Sequence, residues 1–246
     1  MNRKGSSNGA GRTSLGEAAE DCLKAIYKLG APHKPVSTSA LASALGVTEP
    51  TATAMIKRLA RLGLLHHAPY RGVDLTPAGE AAALEIVRHH RLLEAYLVRS
   101  LGLSWESVHA EADRLEHVIS EEMEDRMDAV LGHPAEDPHG DPIPTREGRV
   151  GTLPDTTLAD LEPGQRAAVR SVPDGDPDLL RYLAEQGLVP GAAVEMLEKA
   201  PFRGPIVLAV GGARRAVGSE LAGSIRVDGS ERGSVGGLTE EVTDDR

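Results

Sequence analysis

Val36–Leu65 reads VSTSALASALGVTEPTATAMIKRLARLGLL, and its punctuation decides the fold of the first third of the chain. Ser37 is placed to cap TSALASAL and Gly46 to close it; Thr48 is placed to cap EPTATAMIKRLARL, with Gly63 at its end. Hydroxyls accept hydrogen bonds from the orphan N–H groups of a first helical turn, and glycine takes the left-handed backbone that ends a helix. Two helices joined by a tight turn result, a helix-turn-helix.

The flanks extend this unit. Upstream, LGEAAEDCLKAIYKLG carries apolar residues at Leu15, Ala18, Cys22, Ala25, Ile26 and Leu29, a helical period that stops at Gly30. Downstream, LLHHAPYRGVDLT predicts two short strands about a turn near Arg71 and Gly72. Residues 15–75 therefore read as a winged helix-turn-helix. The first turn of its third helix presents small side chains, Thr48, Pro50, Thr51, Thr53 and Ala54, suited to base edges and thymine methyls. Lys57, Arg58 and Arg61 are placed to reach phosphates, as is Arg71 on the wing. A winged helix used only for protein contacts is the alternative.

Net charge at first argues against nucleic acid. The 246 residues carry a formal charge of −10. Residues 1–75, however, hold ten Lys+Arg against five Asp+Glu, or +5, which leaves −15 for the remainder. A basic first third can approach phosphate while the acidic remainder attracts cations. Aromatics are only 2% of the chain, so its cores must be built from Leu, Val, Ile and Ala. Cys22 is the single cysteine, which excludes an internal disulfide and any multi-cysteine metal site; its place on an apolar row predicts a small buried hydrophobe. No apolar run follows the basic start MNRKGSSNGAGRTS, and none approaches a membrane span, so a cytoplasmic location is expected.

Thr76 and Pro77 open a long helix, AGEAAALEIVRHHRLLEAYLVRSL, closed by Gly102. Ser104 is expected to cap the next, running to about Leu131, with Val108, Ala112, Leu115 and Ile119 as one apolar row. His109, Asp113, Glu116 and His117 border that row, and His90 and Glu94 point from the preceding helix at the same neighbourhood. A solvated face would interleave Lys or Arg with its acids, whereas this row offers only Asp, Glu and His. A divalent ion would relieve the repulsion among these carboxylates. A core-edge cluster of histidines and ion pairs, or a catalytic acid/base, are the other readings. Trp105 reads as a packing residue, and His33, His66, His67 and His133 show no partner pattern.

From about Leu15 to Val227 the chain resembles the diphtheria toxin repressor family of metal-dependent transcriptional regulators, manganese-responsive type. The blocks that carry the likeness are EDCLKAIYKL, the helix-turn-helix stretch, YRGVDLTPAGE, HHRLLEAYL, EADRLEHVISEEME and HGDPIP. The resemblance implies a homodimer activated by a divalent cation to bind a double-stranded DNA operator, as a transcriptional regulator, repressor or activator, controlling metal-ion homeostasis. It implies a primary site of Asp21, His90, Asp113, Glu116 and His117. Asp21 and Asp113 stand where iron-responsive members have Met and Cys, so the set is all oxygen and nitrogen and suits Mn²⁺. Fe²⁺ is the alternative, and Zn²⁺, Co²⁺ or Cd²⁺ can substitute in vitro. Small manganese-responsive members place a Glu for a second ion where this chain has Lys24. Larger members use a segment resembling DPHGDPIP and a group from the third domain, which makes Glu94, Asp137, His139 and Asp176 second-site candidates, and some iron-responsive members use the histidine matching His109.

The expected architecture is mainly α with a small β domain. A disordered basic arm (1–14) precedes the winged helix-turn-helix (15–75), a helical metal-binding and dimerisation domain (76–148), an SH3-like β-barrel (152–228) and a disordered tail (229–246). In the β domain the runs from LADLEPGQRAAVRSV to IVLAVGGARRAVGSELAGSIRV predict short strands, with one helix, PDLLRYLAEQG, between them. No hydrolase signature accompanies the acid and histidine cluster, so no enzymatic activity or small-molecule substrate is expected. The rival classes are a metallohydrolase and a metal-independent winged-helix regulator.

Overall fold

The computed structural model describes residues 15–30, 35–68 and 71–232. The expected arm (1–14), His33 and the tail beyond 232 lie outside them. The chain divides into two compact units, and the boundary falls inside one continuous helix.

The first unit comprises residues up to His89 with Glu116–Ile119 and Arg146–Gly148. Helices α1 (Glu17–Leu29), α2 (Thr38–Ala44) and α3 (Glu49–Arg61) precede a two-stranded wing, β1 (Leu65–Ala68) with β2 (Gly72–Leu75). The caps fall where the sequence puts them: Ser37 Oγ accepts from Ala40 N–H, and Thr48 Oγ1 from Thr51 N–H. The wing pairs Leu65 with Leu75 and Ala68 with Gly72, and Val36 bridges to Val73. Leu23, Ile26, Leu41, Ile56, Leu59, Leu65 and Val73 form the core, an aliphatic one as the composition requires. Helix α4 (Pro77–Leu101) then starts hard against the end of α3. Thr76 Oγ1 donates to Gly63 O and accepts from Gly79 N–H. A Cβ on Gly79 would stand 1.9 Å from Leu64 O, so only glycine permits this approach.

The second unit takes the rest of α4 from His90, residues 120–145, and everything from Arg149 onward. Its helices correct the sequence expectation. The helix expected from Ser104 to Leu131 is two, α5 (Val108–Leu115) and α6 (Glu121–Val130). Ser104 instead bonds Ser107 in a turn, and Ser120 Oγ caps α6 by accepting from Met123 N–H. Glu121, Glu122 and Glu124 in the first turn of α6 reinforce that start through the helix dipole. The SEEME signal was legible, but the longer apolar row overrode it.

A five-stranded antiparallel sheet in the order β6-β5-β4-β3-β7 completes this unit: β3 (Gln165–Ser171), β4 (Ala193–Lys199), β5 (Ile206–Val210), β6 (Ala213–Val217) and β7 (Arg226–Arg232). Helix α7 (Pro177–Gln186) lies between β3 and β4, and a short α8 (Ser219–Ala222) precedes β7. Leu158, Val169, Leu180, Leu183, Met196, Leu208 and Val227 are buried in one cluster. Two expectations are corrected. Leu158–Asp160 is a 3-10 turn rather than the start of a strand, because Thr157 and Asp160 cap one another. Residues 229–232 belong to β7 rather than to a tail, since Glu231 and Arg232 pair with Arg166 and Gln165.

Candidate metal centres and DNA-reading surface

The candidate DNA-reading surface lies on α3. Its inner face, Ala52, Ile56 and Leu59, is buried, while Thr48, Pro50, Thr51, Ala54, Lys57, Arg58 and Arg61 are exposed and Thr53 is half-buried. Arg71 is exposed on the wing. Small side chains and cations thus share one outward face. Arg58 also donates to Leu15 O at 3.4 Å, which ties α3 to the chain ahead of α1.

One acid and histidine cluster lies wholly in the first unit. Asp21 on α1 meets Glu116 and His117, which follow the last turn of α5. His117 Nε2 stands 3.0 Å from Asp21 Oδ1 and 3.4 Å from Glu116 Oε1, while Nδ1 stands 2.7 Å from Glu20 Oε2. With carboxylates at both ring nitrogens, the charged imidazole donates from Nδ1 to Glu20 and from Nε2 to Asp21, and loss of the Nε2 proton leaves a lone pair aimed at the Asp21 side. Burial raises the Asp21 pKa, and the facing His117 only partly offsets it. Burial alone would lower that of His117, but the Glu20 hydrogen bond and the charges of Glu116 and Asp21 outweigh it and raise it. Glu116 is 1% exposed, and both its oxygens accept from Lys24 Nζ, at 2.9 and 2.7 Å.

The second unit holds a denser cluster around Glu94, which is fully buried. Glu94 Oε1 lies 3.0 Å from both His90 Nε2 and His109 Nδ1, and Asp174 Oδ2 lies 3.8 Å from His109 Nδ1. His90 Nδ1 faces Asp113 Oδ1 at 3.3 Å. On the other side of Glu94, Oε2 is 3.7 Å from His139 Nδ1, and Asp137 joins the same group. His139 is held by its other nitrogen, Nε2 to Trp105 O at 2.9 Å, and by stacking on the Trp105 ring. Asp137 Oδ1 accepts from His139 N–H and Asp141 N–H, which folds the DPHGD loop, and Arg91 pairs with Asp137 and Asp141. Glu94 Oε2, Asp137 Oδ2 and His139 Nδ1 are buried atoms with no hydrogen-bond partner. Orphaned buried acceptors are costly. One from each of three residues in one cluster is the donor set that a cation satisfies.

Electrostatics agree with that geometry. Burial favours the neutral form of Glu94, yet the facing His109, His139 and His90 hold its pKa well below the usual carboxylate range. Asp137 is pushed up to about 7 by burial and by the charges of Glu94 and Asp141. His139 is raised to about 9: burial opposes its charge, but Glu94 and Asp137 outweigh it. A proton held by His139 and the Arg91 guanidinium offset part of this buried negative charge.

The placement of the expected residues is mixed. Asp21, Glu116 and His117 come together; His90 and Asp113 meet in the second unit, as do Glu94, His109, Asp137 and His139. Asp176 does not: its Oδ1 caps α7 by accepting from Asp178 and Leu179 N–H, and Asp174 is the neighbour of His109. The spacing D-x-D-P could have warned of this, since an Asp before Pro-Asp opens a helix. Glu20 and Arg91 were missed, because their partners lie far along the chain. Arg114 and Arg126, by contrast, pair with Glu111 and Glu122 on their own helices. Cys22 is fully buried and its thiol is pushed up to about 11, mainly by burial, so it is not a thiolate ligand.

A winged helix with a basic reading face, joined to helices carrying oxygen and nitrogen donor sets, defines a metal-dependent DNA-binding regulator. Comparison with known proteins identifies the family. Residues 14–73 match the N-terminal DNA-binding domain of iron-dependent repressors, 76–145 their metal-binding and dimerisation domain, and 156–229 the FeoA domain. The chain is 36% identical over 226 residues to the iron-dependent repressor IdeR of Mycobacterium tuberculosis, covering 87% of this chain and 98% of that one. Identity to the diphtheria toxin repressor of Corynebacterium diphtheriae is 31% over 224 residues, with 87% and 98% coverage. Among solved structures, a manganese-dependent transcriptional repressor in complex with manganese matches at a TM-score of 0.78 and 41% identity, over 85% of this chain and 98% of that chain. ScaR with bound Cd²⁺ matches at 0.75 and 32%, with 85% and 98% coverage. The chain belongs to the iron-dependent repressor family of metal-dependent DNA-binding transcriptional repressors, with an SH3-like C-terminal domain.

Proposed function

We propose that this protein is a Mn²⁺-responsive repressor of metal-ion homeostasis, working in the cytoplasm as a homodimer on a double-stranded DNA operator and catalysing no reaction. The observation that carries the metal reading is the trio of orphaned buried ligand atoms on Glu94, Asp137 and His139. The choice of metal rests on donor chemistry: carboxylates and imidazoles without sulfur suit Mn²⁺, while leaving Fe²⁺ as the competitor that geometry alone must exclude. A manganese-dependent repressor among the similar structures points the same way. No described helix is long and apolar enough to cross a membrane. Leu101, Leu115, Met123 and Val130 are exposed on the dimerisation helices, apolar surface of the kind a second copy covers.

The regulatory step follows from the first unit. When bound, the ion supplies a double positive charge that neutralises the carboxylates. Asp21 belongs to α1 of the winged helix, whereas Glu116 and His117 continue from α5, more than ninety residues later. Drawing these side chains together fixes α1, and with it the α3 reading face, against the 116–119 turn. His117, held by Glu20, has Nε2 already aimed, so little ordering remains to be done. Two reading heads must meet successive major grooves about 34 Å apart, so loss of that fixation costs operator affinity. By linkage, DNA in turn tightens the ion. The test is selection from a random-sequence duplex library with and without Mn²⁺, followed by affinity measurement on the recovered site. Recovery only with Mn²⁺ is expected, and equal affinities overturn the reading; a stronger response to Fe²⁺ under anaerobic conditions would reassign the metal.

A further inference from the structure

Lys24 borders the first unit's cluster at Glu116. Its ammonium lies 2.9 Å from Oε1 and 2.7 Å from Oε2 of Glu116, covering both oxygens of the carboxylate. It is 8% exposed and Glu116 1%, so this is a desolvated pair rather than a surface contact. Oε1 of Glu116 also lies 3.4 Å from His117 Nε2, which itself faces Asp21. The carboxylate that a divalent ion would share with Asp21 and His117 therefore already has a positive charge on it, carried by α1 itself.

We propose that Lys24 is a tethered monovalent cation in this centre: it holds Glu116 in position before an ion arrives, opposes the ion's binding, and limits the centre to one ion. The inference rests on the metal reading of the Asp21 cluster. An ammonium imposes no coordination geometry and can swing on its flexible stem, so it can yield part of Glu116 to an incoming ion without leaving the site. Its charge stays, and at such distances repulsion of a second cation is strong in a poorly hydrated site. Lys24 is thus a positioning residue that sets affinity and stoichiometry without being a ligand. A purely structural ion pair would behave differently, since breaking it would loosen Glu116 and weaken the ion.

The test uses full-length protein in a Glu94→Ala background, which removes the carboxylate shared by the second unit's clusters. Mn²⁺ uptake is followed by loss of the free-ion EPR signal, and ion-free melting is recorded alongside. Lys24→Gln keeps a hydrogen-bond donor but removes the charge; Mn²⁺ affinity should rise about tenfold or more while the ion-free Tm falls by roughly 5 °C. Lys24→Arg keeps the charge and should stay within about threefold of its parent. Lys24→Glu should take up one more Mn²⁺ per chain than its parent. Unchanged or weaker binding in Lys24→Gln, tightening in Lys24→Arg equal to that in Lys24→Gln, or unchanged stoichiometry in Lys24→Glu overturns the proposal. Should Lys24→Gln not fold, the Arg and Glu variants decide it. A folded Glu94→Ala parent that takes up no Mn²⁺ would show that the metal reading of the Asp21 cluster is itself wrong, before any Lys24 variant is made.

Discussion

The two acid and histidine clusters are built from the same residue types but solve the same problem in opposite ways. In the first unit Glu116 is buried against Lys24, so its charge is matched within the protein. In the second unit Glu94 Oε2, Asp137 Oδ2 and His139 Nδ1 are buried without hydrogen-bond partners, and Arg91, 3.6 Å from Asp137 Oδ2, offsets the acids together with a proton on His139. Both oxygens of Glu116 thus have a cationic partner, whereas three polar atoms of the second cluster have no hydrogen-bond partner. Under the proposed function, that division lets one centre respond to ion concentration while the other consolidates the second unit.

The largest effect expected is on stability. Mn²⁺ at about a thousandfold excess over its Kd should stabilise a site by roughly 4 kcal/mol. Glu94→Gln should abolish most of the Mn²⁺-induced rise in melting temperature, since Glu94 serves both sides of its cluster. A retained rise would place the gain in the first unit instead. Next comes His117→Ala, which should lower operator affinity in Mn²⁺ by about 100-fold and leave affinity without Mn²⁺ unchanged; a fluorescence-anisotropy titration reads both.

Proton competition sharpens the contrast further. Mn²⁺ must displace protons from His139, raised to about 9, and from Asp137, raised to about 7. Affinity of the second unit should therefore climb as pH rises from about 6 to 9, because deprotonation creates the ligands. Asp137→Asn should lower that affinity by about 10- to 100-fold and erase the lower part of the pH dependence. Calorimetric titrations at several pH values would show it, and a flat profile in the unsubstituted protein would refute it. Glu20→Gln should weaken Mn²⁺ at the Asp21 cluster by about tenfold, since the carboxylate that fixes His117 is lost. The smallest effect lies outside both clusters: Thr48→Ala should cost about 1 kcal/mol of stability through the lost cap and leave Mn²⁺ uptake unchanged.

Much of the architecture was legible because its signals are local. Ser37, Gly46, Thr48 and Gly63 set the ends of α2 and α3 within a turn of themselves, and the fit of wing and caps follows from that. The break between α5 and α6 was also written locally, in Ser120 and the acids after it, but a competing apolar row masked it. Asp174 was passed over for Asp176, although the Pro after Asp176 marks it as a helix cap.

Local sequence alone specifies α1 to α4 and α7, the basic face of α3, and a donor set of oxygen and nitrogen only. Tertiary structure alone decided that Glu116 and His117, at the end of α5, meet Glu20, Asp21 and Lys24 of α1, and that Asp137 meets Arg91. Capping and periodicity act over three or four residues, whereas these pairs span 92 to 97 positions in the first unit. Which charges become neighbours over such separations is settled by how the aliphatic cores pack, and no local preference encodes it.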